Sequence, residues 1–330
     1  MKFAVVGAGA IGAYVGAALA RGGSEVTLIA RGAHLKAMQE HGVQVLSPRG
    51  DFHVHPPATD DFGAVADADI AFIGLKAYSL PELAPRLGEA LTGGTAVIPA
   101  QNGIPWWYFQ SHPGPLANTM LESVDPGGVV AASIEPERVV GCVVYCSAEI
   151  VEPGVIRHVE GTRFAIGEPD GSQSERCRLI SEAFIAGGLK CPVEHRLRDQ
   201  IWLKLIGNVA FNPVTALTRA TLGQLGELPE MVELLRAIFQ ECAAVAAALE
   251  IELPVSLERR LEAGVAVGDH KTSMLQDLEA GKPLELGCMS GAVIELADKL
   301  DIAVPHTRAV HACVTLLDRC AHVRRHALTA

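Results

Sequence analysis

Up to about residue 110 the chain alternates short, nearly unbroken apolar runs with stretches of helical periodicity. KFAVVG (2–7), EVTLIA (25–30), DIAFIGL (69–75) and TAVIPA (95–100) have the pattern of strands buried on both faces. Between them Ile11–Arg21, Ala33–His41 and Leu80–Leu91 carry helical spacing. Apolar strands alternating with helices predict βαβ units and a parallel sheet. From about 118 to 168 the pattern changes. RVVGCVVYCSAEIV, GVIRHV and RFAIGE predict three consecutive strands joined by Pro/Gly turns, closed by a helix over 174–186. From 197 onward the periodicity is helical throughout: 197–211, 229–250, 256–265, 272–280, 285–300 and 306–322. The expected fold is therefore α/β. A Rossmann-type doubly wound sheet occupies residues 1–196, and an all-α domain occupies 197–330. There is no low-complexity linker and no internal repeat, so the halves are expected to pack closely with a cleft between them.

Composition narrows the functional classes. The 330 residues are 49% hydrophobic and 20% charged, enough apolar surface for a sizeable core, and the length suggests two domains. The formal net charge of −11 argues against an electrostatic nucleic-acid footprint. The densest basic pair, Arg324-Arg325, reads as a solvated helix end. Eight cysteines are scattered without a CxxC pair, which predicts reduced, mostly buried thiols in a cytoplasmic protein rather than a disulfide framework. His53 and His55 alternate on an expected strand, but two such ligands make no zinc site, and no metal is expected. Residues 3–20 are uncharged and could pass for a signal peptide. Their glycines at 7, 9, 12 and 16 have a better explanation, and no other stretch suits a membrane span.

That explanation is GAGAIG, Gly7-Ala8-Gly9-Ala10-Ile11-Gly12, which follows the first strand and opens the first helix. It fits G-x-G-x-x-G. Gly7 suits a tight turn, Gly9 lets the backbone approach a pyrophosphate, and Gly12 lets helix pack on strand, with the helix N-terminus facing the phosphates. The second strand ends at Ile29-Ala30-Arg31. An NAD enzyme usually carries an acid there for the ribose 2′-hydroxyl. No acid occurs between Glu25 and Glu40, and Arg31 stands in that place with His34 and Lys36 behind it. A guanidinium suits a 2′-phosphate, so NADP(H) is favoured over NAD; an ordinary surface arginine is the alternative.

DQIWLKLIGNVAFNP (199–213) is an apolar helix interrupted by Lys204, Asn208 and Asn212, spaced four apart and so along one face. Hydride delivery to a ketone leaves negative charge on its oxygen, and a site must stabilise that charge and supply a proton. A lysine partly desolvated among Ile201, Trp202 and Leu205 gives up its proton more readily than one in water, and neighbouring amides can orient a substrate. The competing readings are a snorkelling Lys204 and, for Asn212 before Pro213, the N-cap of a new helix. Lys76 and Asn102 each follow an expected parallel strand, where ligands of doubly wound sheets bind. Without further context they are a surface lysine and a turn Asn-Gly, Ser273 caps or sits within its helix, and Glu285 is a first-turn acid.

Taken together, GAGAIG, LKAY around Lys76, AQNGI around Asn102, EPGVIRHVEGTRFAIGE, WLKLIGNVAFNPVTAL and SMLQDLEAGKPLE resemble the ketopantoate reductase family nearly from end to end. The resemblance implies NADPH-dependent reduction of a 2-oxo acid, with Lys204 as general acid. It implies that Glu285 and Ser273 hold substrate groups, that Asn102 and Asn208 lie at the cofactor–substrate boundary, and that Lys76 lies beside the cofactor. Lys204 and Glu285 are the candidate catalytic residues, and Asn208, Asn212, Ser273 and Asn102 the candidate substrate-binding residues. Gly7, Gly9, Ala10, Ile11, Gly12, Arg31, Lys76 and Asn102 are the candidate cofactor residues. A homodimer is compatible with this picture. The chain departs from the family pattern at Gly287, where an Asp is common, and at Ser290, where an Asn is common. It also carries Ile104-Pro105-Trp106-Trp107-Tyr108-Phe109, which reads either as a Pro-started helix burying its aromatics or as an aromatic pocket wall. These departures bear on pantoate as product more than on the reaction type. Two alternatives stay open: a related NADP-dependent dehydrogenase acting on another carbonyl, and a non-catalytic NADP-binding sensor, which would need the glycine fingerprint without Lys204 and Glu285.

Overall fold

The apolar runs of the first half assemble into a five-stranded parallel sheet made of β1 (Lys2–Val6), β2 (Glu25–Ile29), β5 (Ala58–Thr59), β6 (Ile70–Ile73) and β7 (Ala96–Pro99), in the order β5-β2-β1-β6-β7. The structure, a computed structural model, describes residues 1–329, with side chains through Ala321; Arg324-Arg325 falls outside the described side chains. β1 lies in the middle with β2 and β6 on its two sides, so the strand order reverses next to it, the arrangement that opens a ligand crevice at the carboxyl ends of doubly wound sheets. Helices α1 (Ala10–Arg21), α2 (Gly32–His41) and α3 (Leu80–Ala90) follow β1, β2 and β6, and a 3₁₀ turn (Phe62–Val65) lies between β5 and β6.

A second sheet, in the order β4-β3-β9-β8, combines β3 (Val43–Leu46) and β4 (Phe52–Val54) with two long strands, β8 (Gly141–Glu152) and β9 (Val155–Gly167). The three strands expected over 138–168 are thus two. GVIRHV and RFAIGE form one continuous strand, because Gly161 sits in an irregularity of the β8–β9 ladder rather than in a turn. A side chain there would start 2.3 Å from the Tyr145 carbonyl oxygen. His53 belongs to β4 and His55 lies beyond its end, their rings 4.4 Å apart. Among the described residues no group of three metal-ligating side chains forms. Helix α1 is buried from Gly12 to Leu19 and packs in one core with β1, β2, β8 and β9. Its small residues allow that: a Cβ on Gly16 would stand 2.4 Å from Leu28. The segment after β7 is not the expected Pro-started helix but a run of turns. Trp106, Trp107, Tyr108 and Phe109 are all buried there, which leaves no open aromatic wall.

Contacts divide the chain into two compact units. One comprises residues 1–101, 105–120 and 125–197, including the short α4 (Val129–Ser133) and α5 (Glu175–Ala186). The other comprises 102–104, 121–124 and 198–330. Among its described residues the second unit is helical. It is built on α6 (Leu197–Thr218), followed by α7 (Leu222–Glu227), α8 (Pro229–Ala248), α9 (Leu257–Val265), α10 (Ser273–Glu279), a π-helical turn (Gly287–Gly291), α11 (Ala292–Lys299) and α12 (Pro305–Thr329). Helix α6 runs straight through Pro213, which overturns the reading of Asn212 as an N-cap. Proline removes one N–H from the ladder, but burial of nearly every side chain from Leu205 to Ala216 holds the helix together. Similarly, Glu285 precedes the π turn rather than occupying the first turn of a helix. All eight cysteines are free, and five are buried. Among the described residues no helix is long and apolar enough to cross a membrane.

Candidate functional site

In the first unit the glycine fingerprint forms a tight, uncapped helix start. Beyond β1 the chain turns at Gly7, whose φ is +86°, and the amides of Gly7 and Ala8 both donate to the Ile29 carbonyl, at 3.0 and 2.9 Å. A side chain at Gly12 would lie 2.3 Å from the Gly7 carbonyl oxygen, so α1 can approach the loop only at a glycine. Gly9 differs: a Cβ there meets nothing within 4 Å, which leaves open space in front of the α1 N-terminus. No side chain caps that terminus, so the first amides of α1, flanked by Ala10 and Ile11, remain available for an anion. These features fit the pyrophosphate of a dinucleotide.

Arg31 occupies the N-cap position of α2, is exposed, and makes no ion pair or side-chain hydrogen bond among the described residues. The two groups behind it are otherwise engaged. His34 Nδ1 accepts a hydrogen bond from the Gly154 amide at 3.0 Å, and Lys36 pairs with Glu40 at 3.9 Å. Burial lowers the His34 pKa, opposed by the Ala8 backbone. Arg31 is thus an exposed cation just past the end of β2. Lys76 stands just past the end of β6, at the start of a 3₁₀ turn over Ala77–Ser79. Gln101, which the sequence reading missed, ties the ends of β6 and β7 together by donating to the Ile73 and Leu75 carbonyls at 3.2 and 3.1 Å. Its only sequence signal is its place directly after a buried strand.

In the second unit, Lys204 Nζ donates to Asn102 Oδ1 at 2.7 Å, which joins two candidates 102 positions apart in the chain. Between Ile201 and Ala216, α6 is buried except at Leu203, Lys204 and Asn208, which form a partly open strip. Asn212 does not join that strip. It is buried, with Nδ2 at 3.8 Å from the sulfur of Met289 in the π turn. Glu285 is buried just ahead of that turn, while Ser273 is exposed at the first position of α10, after the capping Thr272.

The π turn holds the Asn102 loop. The Ile104 amide donates to the Cys288 carbonyl at 2.7 Å. Gly103, at φ +85°, lies so close that a Cβ would be 2.2 Å from the same oxygen. The other inserted segment, 121–124, is clamped by Glu295. Its carboxylate accepts from the Ser123 amide and hydroxyl at 2.9 and 2.7 Å and from the Glu122 amide at 3.1 Å. Burial pushes the Glu295 carboxyl up, but these hydrogen bonds outweigh it and hold it below the usual carboxylate range. Gly287 now has a physical reason: a side chain there would begin 2.3 Å from the Ser123 carbonyl oxygen. Ser290 is buried and hydrogen-bonds His311 Nδ1 on α12 at 2.7 Å, and burial lowers the His311 pKa.

Residues 3–171 match the family model for ketopantoate reductase PanE/ApbA, and residues 196–318 match the model for its C-terminal part. The chain belongs to the ketopantoate reductase family. It is 41% identical to a 2-dehydropantoate 2-reductase of Mesorhizobium japonicum, over 96% of this chain and 98% of the relative. A 2-dehydropantoate 2-reductase of Halobacterium salinarum is 31% identical, with 97% and 99% covered. Among solved structures, one from Ralstonia solanacearum named for ketopantoate reductase superposes with a TM-score of 0.91 at 34% identity, covering 97% of this chain and 98% of that one. As a ketopantoate reductase family member the chain is an oxidoreductase acting on CH–OH groups.

Proposed function

We propose that this chain is an NADPH-dependent reductase of a small 2-oxo acid, with ketopantoate to pantoate as the best single assignment and Lys204 as the general acid. The observation that carries the proposal is the 2.7 Å hydrogen bond from Lys204 to Asn102 on the open strip of α6. An ammonium on an otherwise buried helix is costly, and a chemical task accounts for it. Bound NADPH supplies the hydride that reduces the substrate carbonyl carbon. Lys204 gives a proton to the carbonyl oxygen as negative charge develops there, and its charge stabilises that oxygen before transfer. Asn102 fixes the ammonium's direction, and Asn208, one turn further along the strip, orients the substrate. Glu285 and Ser273 supply further polar contacts to it, whereas Asn212, buried against Met289, does not. Gly7, Gly9 and Gly12 shape the loop whose amides hold the pyrophosphate, Lys76 lies beside the cofactor, and Arg31 selects the 2′-phosphate. The reading places the enzyme in the cytoplasm and allows a homodimer.

The test is NADPH consumption across a panel of 2-oxo acids that includes ketopantoate. Turnover of at least one supports the reading. No turnover with any of them, while NADPH still binds, returns the chain to the sensor class. One observation favours a second reading in which the substrate is a different 2-oxo acid: the contact of Gly287 with the Ser123 carbonyl excludes the Asp common in the family.

A further inference from the structure

His34 stands in the first turn of α2, and its two ring nitrogens face different parts of the chain. Nδ1 accepts a hydrogen bond from the Gly154 amide at 3.0 Å. Gly154, in the turn between β8 and β9, is itself fixed. Its φ is +82°, its carbonyl accepts from the Gln44 amide at 2.9 Å, and a Cβ there would stand 3.2 Å from the Ala37 Cβ. With Nδ1 held as an acceptor, a neutral imidazole carries its proton on Nε2. Burial lowers the His34 pKa from its ordinary value and so keeps the ring neutral at pH 7. Nε2 is buried and closes no hydrogen bond of ordinary length and direction. What faces it is the glycine fingerprint. The Ala8 backbone favours the charged form of His34, which an N–H cannot do, so the group acting on the ring is the Ala8 carbonyl.

A buried N–H without a full partner is costly, so ring donor and loop carbonyl attract one another. That carbonyl and the Gly9 amide share one rigid peptide plane. The residues that follow, Ala10 and Ile11, open α1 at a terminus that no side chain caps. On its other side the loop is tied to β2, through the Gly7 and Ala8 amides on the Ile29 carbonyl. We propose that His34 is a positioning residue for the dinucleotide: anchored on the Gly154 turn, its Nε2–H holds the Ala8 carbonyl and so sets the direction in which the fingerprint loop presents its amides to the pyrophosphate. This rests on the NADPH-binding reading and deepens it. Arg31 tells one dinucleotide from another, whereas His34 serves the diphosphate that both share.

The experiment titrates NADPH and NADH calorimetrically into wild type, His34→Asn and His34→Gln, and records the melting temperature of each protein without cofactor. Asparagine places an amide oxygen near the position of Nδ1, which keeps the Gly154 contact but does not reach Ala8. Glutamine places an amide nitrogen near the position of Nε2, which reaches Ala8 and gives up Gly154. Loss of one hydrogen bond predicts that His34→Asn weakens both cofactors about three- to tenfold and leaves their ratio unchanged. His34→Gln should bind both more tightly than His34→Asn does, even where its melting temperature is the lower of the two. A merely structural histidine gives the reverse: stability follows the Gly154 contact, and affinity is the same in both variants. Wild-type affinity in His34→Asn overturns the proposal, as does a loss confined to NADPH. Nitrogen-15 spectra of the wild type test it without any variant. Nδ1 should be the bare nitrogen and Nε2 the protonated one, and the opposite tautomer overturns the proposal. Wild-type protein that binds neither dinucleotide removes the cofactor reading and this proposal together. Wild-type binding with an indifferent His34→Asn removes this proposal alone.

Discussion

Gly103→Ala tests whether the Asn102 loop is held as tightly as the geometry implies. Alanine at φ +85° costs roughly 1–2 kcal/mol from the left-handed conformation alone. The new Cβ would also lie 2.2 Å from the Cys288 carbonyl oxygen and 2.6 Å from its carbon. Both are backbone atoms and cannot rotate aside, so the loop must retreat and the 2.7 Å bond from the Ile104 amide to that oxygen stretches or breaks. An amide–carbonyl bond contributes about 1 kcal/mol net, and more if a group is left buried and unpaired. The total is roughly 2–4 kcal/mol of stability, measurable by urea denaturation. The catalytic cost is separate. Asn102 is the adjacent residue, and its shift carries away the partner of Lys204; a misplacement of about 1 Å can cost on the order of 10²-fold in rate. The expected result is a destabilised but folded enzyme whose kcat falls by about that factor. Wild-type stability and turnover in Gly103→Ala would show that the loop is not clamped, and the positioning argument would fall.

Arg31→Ala should narrow the preference for NADPH over NADH by about ten- to hundredfold; isothermal titration that finds both cofactors weakened equally would contradict the 2′-phosphate role. Glu295 should give acid-sensitive stability. Its folded pKa lies below the ordinary glutamate value of about 4.3, so its contribution is complete above that pH and is lost as pH falls through the folded pKa. Glu295→Gln should lower stability at pH 7 by about 1–3 kcal/mol and flatten this part of the pH profile; denaturation midpoints that keep the wild-type pH dependence would count against the clamp.

Much of this architecture is legible in the residues because buried parallel strands are apolar on both faces. β1, β2, β6 and β7 announce themselves in that way, and GAGAIG fixes which turn meets a phosphate. β4 and β5 are too short to carry a pattern, and β3, as long as β6 and β7, has its apolar run broken by Gln44. Two local rules misled. Gly161 looks like a turn because the ladder irregularity it serves depends on β8, a partner strand whose pairing no local pattern reveals. Asn212-Pro213 looks like a helix start because local propensity favours it, and tertiary burial of α6 overrides that preference. Within the candidate site, Lys204 stands out as a charge on an apolar helix. Its bond to Asn102 does not, since it depends on a carbonyl of Cys288 and on two short segments that join the helical unit from far away in sequence. Gly287 is equally silent as a letter; it is explained only by the Ser123 carbonyl facing it.

The central claim is that Lys204 donates the proton, and the measurement closest to it is kcat for Lys204→Ala alongside its NADPH dissociation constant. Removing a general acid that also stabilises the developing oxyanion predicts a fall in kcat of about 10²–10⁴-fold with cofactor binding nearly unchanged. An effect confined to KM would reduce Lys204 to a substrate contact, and near-normal turnover in a folded Lys204→Ala enzyme would contradict the account.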